Sequence, residues 1–245
     1  MDIKIRKGFL PEVCPGTILG HEFSGTVMET GSSVRKFKSG DSVAVSPITS
    51  CGYCENCRNG KNEKCINGGW LLGYSIDGCQ AEYVRVPFAD RSLTSIPSGV
   101  SLKDAVLAGD IGASGYQAAL NAKIKEGDSV VVTGSGPAAT MAMMCARTFR
   151  PSILIAVDSV PERLEKIHSY GIADAAVDML NADPVNEVMR LLGGKKADSV
   201  IEATGLNSNF KKALELSKDD GGISVLSIYS DPLIFSATEI KNRWL

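Results

Sequence analysis

Hydrophobic and polar positions follow two different patterns along the chain. In residues 1–112, short runs of alternating apolar and polar residues end at glycine, proline or polar clusters, which is typical of strands joined by turns. Such runs lie at residues 25–30, 42–47 and 81–87. Only a short helix is predicted in this half, at 101–108, with Ser101 as its N-cap and Asp104 at its third position.

From about residue 114 the pattern changes to continuous apolar runs separated by helical stretches. A continuous apolar run is expected of a strand that is covered on both faces. Five such strands are predicted, at residues 128–134, 153–158, 175–178, 199–205 and 222–229. Helices are predicted between them, at residues 137–149, 161–171, 185–192 and 209–218. Strands and helices that alternate at this spacing indicate an α/β fold with a parallel sheet and right-handed crossovers.

Length and charge narrow the functional classes. The 245 residues suffice for one or two domains, and 44% of them are hydrophobic. The 26 basic and 28 acidic residues give a net charge of −2, so broad attraction to nucleic acid or to an anionic membrane is not expected. No apolar run approaches the roughly 18 residues of a membrane span. Residues 1–13 lack the apolar stretch of a signal peptide, so a cytoplasmic location is expected.

A glycine-rich turn follows the first predicted strand of the second half. Gly134, Gly136 and Ala139 are spaced as in the dinucleotide-binding pattern G-x-G-x-x-A, with Pro137 and Ala138 inside it. Gly134 permits a tight turn, Gly136 has no side chain to block a pyrophosphate, and Ala139 allows close packing of helix on strand. The N-terminus of the following helix offers free N–H groups to the phosphates.

An acidic residue, Asp158, ends the next predicted strand, close to the roughly 20-residue spacing of the dinucleotide-binding fold. A carboxylate at this place accepts hydrogen bonds from the ribose 2′-hydroxyl of NAD and repels a 2′-phosphate. The alternative is a structural acid near the helix that starts at Pro161. The turn and the acid together predict NAD binding. The candidate cofactor-binding residues are Gly134, Gly136, Pro137, Ala138, Ala139, Asp158 and Arg163.

Four of the seven cysteines lie in one short loop rich in glycine and asparagine. They are Cys51, Cys54, Cys57 and Cys65. In a chain without an export signal, such a cluster indicates a metal site before disulfides. Four thiolates can close a tetrahedron around Zn²⁺ with no open position, which is a structural site. An iron–sulfur cluster fits less well, because bacterial ferredoxin runs end in C-x₃-C-P whereas Cys65 follows a seven-residue gap and precedes Ile66.

Taken together, these features resemble the zinc-containing medium-chain alcohol dehydrogenases. The matching segments are residues 20–31, 34–43, 51–65, 77–87, 110–120 and 134–139. Residues 68–78 look most like the branch that contains formaldehyde-dehydrogenase-like and secondary-alcohol enzymes. The resemblance implies a GroES-like, β-rich catalytic domain at residues 1–112 and a Rossmann domain with a doubly wound parallel sheet at residues 113–245.

The resemblance also implies NAD-dependent oxidation of an alcohol, with a catalytic zinc that polarises the alcohol or carbonyl oxygen. His21 matches the second zinc ligand of the family, Asp110 the third, and Glu22 the acid beside the metal. These three are the candidate catalytic residues and further candidate metal ligands.

The first ligand of the family is a cysteine in the segment C-G-[ST]-D-x-H, and it has no match here. If residues 2–8 align with that segment, Met1 takes the place of its Ser or Thr, and Lys4 that of the proton-relay histidine. The chain is therefore expected to be truncated at its start and to hold a catalytic zinc weakly or not at all. Cys14 is a minor alternative as the missing ligand.

Truncation is expected at the other end as well. The family sheet has six strands, and its last strand usually pairs with a second subunit. Here the chain stops at residues 241–245, where that strand would begin, so an incomplete sheet of five strands is predicted. A small alcohol, aldehyde or ketone is the expected partner. Two alternatives stay open: a catalytically impaired fragment that binds structural zinc, with or without NAD, and an interaction module built on residues 51–65.

Overall fold

The computed structural model describes residues 1–229 and 232–236. The chain divides into two units, Met1–Asp110 and Ile111–Leu245. The sequence analysis places this boundary two residues later, after residue 112. The predicted beginning of a sixth strand at 241–245 lies outside the described residues. No helix in the described part of the chain combines the length and the hydropathy that crossing a membrane requires.

The first unit consists mainly of short strands and turns. Its strands are β1 (Ser24–Thr26), β2 (Ser42–Val45), β3 (Ile48–Thr49), β4 (Gly69–Trp70) and β5 (Leu93–Ser95). Its helices are α1 (Asp2–Arg6), α2 (Glu55–Arg58), α3 (Ala89–Ser92) and α4 (Leu102–Leu107), with a 3₁₀ turn at Asn62–Lys64. A π-helical turn, Ala108–Gly112, follows α4. The predicted N-cap is confirmed, since the Ser101 hydroxyl accepts from the Asp104 backbone N–H.

Two antiparallel sheets organise the first unit. The larger has the order β1-β2-β5, and the smaller pairs β3 with β4. Alternation along β2 buries Val43 and Val45, as the predicted strand requires. The strand predicted at 81–87 is wrong: these residues form no ladder, and Tyr83 is 71% exposed. An alternating pattern specifies a strand only where a partner backbone is available, and here none pairs with it.

The described residues of the second unit form one sheet of five parallel strands. They are β6 (Ser129–Thr133), β7 (Ile153–Asp158), β8 (Ala175–Asp178), β9 (Ala197–Glu202) and β10 (Ser217–Val225). The helices are α5 (Ala113–Asn121), α6 (Pro137–Arg147), α7 (Pro161–Ser169), α8 (Pro184–Leu191) and α9 (Asn207–Leu216). The spatial order is β10-β9-β6-β7-β8, so the first strand lies in the middle, as in a doubly wound fold. The five predicted strands are confirmed.

Two of these elements differ from the sequence-based prediction. Strand β10 begins at Ser217 rather than at 222, and its register against β9 shifts between Ser217 and Gly222. Helix α5 was not predicted, because its small residues give a weak helical pattern. It packs tightly on α6: a Cβ built on Gly115 would lie 2.9 Å from the Ala142 backbone nitrogen.

Strand β6 connects the two hydrophobic layers of the second unit. Val130 and Val132 pack with α6 residues such as Met143 on one face of the sheet. Val131 packs on the opposite face with Val188 of α8. These four valines and Met143 are all fully buried. The continuous apolar run therefore serves both faces of a covered sheet.

An ionic clamp joins β6, β9 and β10 at the amino-terminal edge of the sheet. The Asp198 carboxylate accepts hydrogen bonds from the Ser129 backbone N–H at 2.8 Å and from its hydroxyl at 2.7 Å. The Lys218 ammonium lies 2.9 Å from the same carboxylate. Although burial alone would raise the pKa of Asp198, the Ser129 and Lys218 contacts lower it to about 2.

We expect Asp198→Asn to lower the free energy of unfolding by about 1 kcal/mol at pH 7, because charge-assisted hydrogen bonds are lost at a partly exposed site. The folded pKa lies below the unfolded value of about 3.9, so the contribution is full above that value and disappears as pH falls toward 2. Urea unfolding of both chains from pH 7 to pH 3 measures this difference.

Asp220→Asn is the control for this clamp, since Asp220 contacts the same lysine at 3.6 Å but is 86% exposed. We expect it to change stability by less than about 0.5 kcal/mol. Equal losses for the two variants, or a difference that does not shrink at low pH, would contradict the assigned role of Asp198.

Candidate metal and dinucleotide sites

The four clustered cysteines form a compact group of sulfur atoms. The Sγ atoms of Cys51, Cys54, Cys57 and Cys65 all lie within 4.8 Å of one another. The Sγ atoms of Cys54 and Cys65 are 4.0 Å apart. Tetrahedral zinc with Zn–S bonds of about 2.3 Å separates its sulfurs by about 3.8 Å. The donor set therefore fits a closed zinc site, and all seven cysteines of the chain are free thiols.

Local turns bring these thiols together. Cys51 follows β3, Cys54 is the N-cap residue of α2, and Cys65 follows the 3₁₀ turn. The Cys51 backbone N–H donates to Cys65 Sγ at 3.2 Å, and the Cys54 N–H donates to Cys51 Sγ at 3.4 Å. The Asn67 side-chain amide also donates to Cys51 Sγ at 3.4 Å. Such N–H donors stabilise thiolates, as a metal site requires.

The thiols differ in acidity. Burial raises the pKa of Cys51, but hydrogen bonds from Asn67 and from the Tyr53 and Cys54 backbone outweigh it and leave this pKa at about 6. Burial raises the pKa of Cys57 to about 11. Asn67 was missed by sequence reasoning, because an amide next to a metal loop has no distinctive spacing.

His21 lies between two carboxylates in the first unit. Its Nε2 is 3.2 Å from Asp110 Oδ2, and its Nδ1 is 3.3 Å from Asp2 Oδ1. The contact with Asp2 is electrostatic, because its geometry is not that of a hydrogen bond. The hydrogen bond to Asp110 raises the pKa of His21, burial lowers it, and the charges of Asp110 and Asp2 raise it further. The Trp70 ring meets the imidazole edge-on, with ring centres 5.5 Å apart.

The His21–Asp110 pair supplies part of a metal site. Zinc with Zn–N and Zn–O bonds of about 2.0 to 2.2 Å places two tetrahedral donors about 3.3 Å apart, which matches the 3.2 Å between Nε2 and Oδ2. Among the described residues, however, only the cysteine group brings three or more such ligands together, so Glu22 does not complete a third corner. In the part of the chain that the structure describes, this centre therefore offers two metal donors, His21 Nε2 and Asp110 Oδ2.

Asp2, Lys4 and Cys14 belong to the segment before His21, and the structure assigns them different places. Asp2 was missed as a site residue, although its segment is the one aligned with the family's ligand motif. It lies on α1, whose five residues were not predicted as a helix, and Gln80 Nε2 donates to its Oδ2 at 2.7 Å. Lys4 lies on the same helix. Cys14 is exposed and is not part of the metal-ligand group.

The glycine-rich turn of the second unit has the geometry that its sequence predicts. Gly134 has φ +105°, a left-handed conformation that favours glycine, and its N–H donates to the Val157 carbonyl at 2.7 Å. Gly136 is the N-cap residue of α6, and a Cβ built there meets no atom within 4 Å. Ala139 is 1% exposed and packs in the core. Pro137 and Ala138 form the first turn of α6.

Asp158 lies at the carboxyl end of β7, close to this turn. Its Oδ2 accepts from the Ser135 hydroxyl at 2.5 Å, and its Oδ1 accepts from the Ser159 N–H at 2.5 Å. Ser135 was missed by sequence reasoning, because it occupies an unspecified position of the glycine pattern. Arg163 is exposed on the first turn of α7. Space beside Gly136 and a fixed carboxylate at Asp158 fit a dinucleotide.

Both units of the chain match known protein families. The alcohol dehydrogenase GroES-like domain family matches residues 1–98, and the zinc-binding dehydrogenase family matches residues 137–243. Zinc-type alcohol dehydrogenase B from Aspergillus flavus is 36% identical over 93% of this chain. The chain belongs to the zinc-containing medium-chain alcohol dehydrogenase family. It spans 55% of the length of that Aspergillus relative and 67% of an alcohol dehydrogenase from Cupriavidus necator, which is 35% identical.

Solved structures show the same family fold. Zinc-dependent alcohol dehydrogenase 2 from Streptococcus pneumonia superposes with a TM-score of 0.90 at 36% identity, over 99% of this chain and 69% of its own. An alcohol dehydrogenase from Thermus sp. ATN1 gives 0.89 at 31% identity, over 98% and 70%. A zinc-binding dehydrogenase from Sinorhizobium meliloti bound to NADP gives 0.86 at 26% identity, over 99% and 70%. The predicted combination of GroES-like and Rossmann parts is confirmed.

We expect the purified chain to hold one zinc ion, bound by the four clustered cysteines. Cys54→Ser should lose this zinc and lower the melting temperature, because a closed zinc site contributes folding free energy. Elemental analysis and thermal unfolding, with and without chelator, measure both effects. Cys14→Ser is the matched control, since Cys14 is an exposed thiol outside the cluster. Stoichiometric iron, no metal, or a Cys54→Ser protein that keeps its zinc would contradict the assignment.

Proposed function

We propose that this chain binds a nicotinamide dinucleotide on its parallel-sheet unit and belongs to an oxidoreductase that transfers a hydride between an alcohol or carbonyl compound and that cofactor. The observation that carries the proposal is the open position at Gly136, set at the start of α6 and beside the Asp158 carboxylate. Family membership supplies the reaction type. Activity of the whole protein is a proposal, because the chain spans only part of its relatives.

A nicotinamide dinucleotide bound here would supply the hydride-transfer chemistry. The chain's own residues hold and orient the cofactor. The free backbone N–H groups at the start of α6 bind the pyrophosphate, and Gly136 leaves the space that it needs. Asp158 accepts hydrogen bonds from the adenosine ribose hydroxyls. The four clustered cysteines would hold a structural zinc that stabilises their loop.

NAD is the dinucleotide that the site favours. Hydrogen bonds from Ser135 and Ser159 fix both oxygens of Asp158 at the end of β7. Each carboxylate oxygen has a further lone pair for a ribose 2′-hydroxyl, whereas a 2′-phosphate would meet a negative charge. Arg163 is exposed on the first turn of α7, and its positive charge would favour a 2′-phosphate.

A second candidate function is dinucleotide and zinc binding without effective turnover. The observation that favours it is the His21–Asp110 pair, which offers two metal donors where a catalytic zinc needs three protein ligands. No reaction step is assigned to zinc at this pair. His21 and Asp110 form instead a hydrogen-bonded acid–base pair, held in place by Asp2 and Trp70.

We expect NADH to bind more tightly than NADPH, and Asp158→Gly to narrow the difference by about tenfold, because the charge that opposes the 2′-phosphate is removed. Fluorescence titration with each reduced cofactor measures the two dissociation constants. Asp178→Asn is the control, since Asp178 ends the neighbouring strand β8 in register with Asp158. Equal affinities in the unaltered chain would contradict the role of Asp158.

We expect one zinc per chain rather than two, and slight or undetectable NADH production from primary and secondary alcohols. Two donors hold zinc weakly and do not fix the open tetrahedral geometry that catalysis needs. Zinc content is measured together with NADH production from a panel of primary and secondary alcohols. We expect His21→Ala to leave the zinc content unchanged. Two zinc ions together with robust turnover would show that another group completes the His21 site.

A further inference from the structure

A fully buried carboxylate lies at the carboxyl-terminal edge of the sheet, and the proposed function does not use it. Glu202 is the last residue of β9 and is 0% exposed. It pairs in register with Thr133 of β6 on one side and with Val225 of β10 on the other. Acidic side chains are rarely buried so completely unless several groups donate to them, because burial removes the carboxylate from water.

Four donors satisfy this carboxylate, two on each oxygen. Oε1 accepts from the Thr204 backbone N–H at 2.7 Å and from the Thr204 hydroxyl. Oε2 accepts from the Tyr229 hydroxyl and, at 3.4 Å, from the Gly205 N–H. The Thr204 hydroxyl donates to Glu202, because its oxygen already accepts from the Leu206 N–H and from Asn209 Nδ2, both at 3.2 Å, which uses its two lone pairs.

These hydrogen bonds connect three segments of the chain to the Glu202 side chain, directly or through Thr204. The first is the loop after β9, residues 203–206, which contains Thr204 and Gly205. The second is α9, because Asn209 Nδ2 donates to the Thr204 hydroxyl oxygen at 3.2 Å. The third is the chain after β10, which Tyr229 anchors. Gly205, at φ +73°, fits closely here, since a Cβ built on it would lie 2.8 Å from the Ile228 carbonyl oxygen.

The loop at 203–206 forms one wall of the dinucleotide turn. A Cβ built on Gly134 would lie 3.3 Å from the Ala203 carbonyl carbon and oxygen and 3.3 Å from Thr204 Cγ2. The Ala203 N–H donates to the Thr133 carbonyl at 2.9 Å, just before that turn. A displacement of the loop therefore changes the space available at Gly134.

We propose that Glu202 is a positioning residue for the dinucleotide: its buried carboxylate holds the loop at 203–206 against Gly134 and the Tyr229 segment against that loop, which sets the shape of the cofactor cleft. This inference rests on the proposed function, because the cleft is the one assigned there to the nicotinamide dinucleotide. Glu202 touches no cofactor atom in this assignment and acts through the backbone of the loop.

Glu202→Gln tests the proposal with little change of shape. The glutamine amide nitrogen can only donate, so whichever oxygen it replaces, one backbone N–H is left facing another donor. We expect about tenfold or greater loss of NADH affinity, since a buried donor without an acceptor forces the loop to move. Tyr229→Phe removes one donor and leaves three on the carboxylate, so we expect it to fold and to weaken NADH binding by about threefold or more.

The matched control is Asp198→Asn, at the opposite end of the same strand. Asp198 also anchors β9 through hydrogen bonds, but at the edge of the sheet remote from the dinucleotide turn. We expect it to lower stability and to leave the dissociation constant of NADH unchanged. If Glu202 had a purely structural role, Glu202→Gln would bind NADH as tightly as Asp198→Asn at temperatures well below the melting temperature of both variants.

The experiment is a fluorescence titration of the full 245-residue chain and its three variants with NADH, alongside thermal unfolding. Weaker binding by Glu202→Gln and Tyr229→Phe, with normal binding by Asp198→Asn, supports the proposal. If Glu202→Gln does not fold, the NADH affinity of Tyr229→Phe is the test. An unchanged NADH affinity of this variant then overturns the proposal. Unchanged affinity for a folded Glu202→Gln overturns it as well. An unaltered chain that binds neither NADH nor NADPH overturns the proposed function and this inference with it.

Discussion

The burial of strand β6 on both faces is the constraint on which the second unit depends. Its three consecutive valines pack alternately into the two hydrophobic layers, so a shift of one residue would exchange the layers for every side chain. This packing fixes where the strand ends, and hence where the Gly134 turn leaves the sheet. Because the strands are parallel, Asp158 and Glu202 reach the same edge from the two neighbouring strands.

The two ends of this sheet carry different kinds of polar group. At the amino-terminal edge, Asp198 and Lys218 form a partly exposed clamp that stabilises the strands. At the carboxyl-terminal edge, Asp158 accepts hydrogen bonds near the surface, and Glu202 is completely buried under the loops. The same chemical group thus stabilises the strands at Asp198, and it has a proposed ligand contact at Asp158 and a proposed role in loop placement at Glu202, according to its depth and its neighbours. Charge alone would not distinguish these roles.

In the first unit, the cysteine group and the His21 pair are assembled in different ways. The cysteine group comes from one short segment, and turns stabilised by N–H···S hydrogen bonds bring its thiols together. The His21–Asp110 pair joins two distant segments, the chain before β1 and the turn after α4, and Asp2 of α1 contacts His21 from a third. The local group offers four donors to a metal, and the non-local one brings together two.

The sequence by itself determined the parallel sheet, the cysteine group and the glycine turn, because each depends on spacing within a few residues or on a continuous apolar run. It predicted a strand at 81–87 that does not form and missed α5, since pairing and helix packing depend on partners far along the chain. Only the tertiary structure identified Asp2 beside His21, Ser135 beside Asp158, and Tyr229 beside Glu202. Those contacts join residues whose distance in space is unrelated to their spacing in the sequence, so no local pattern records them.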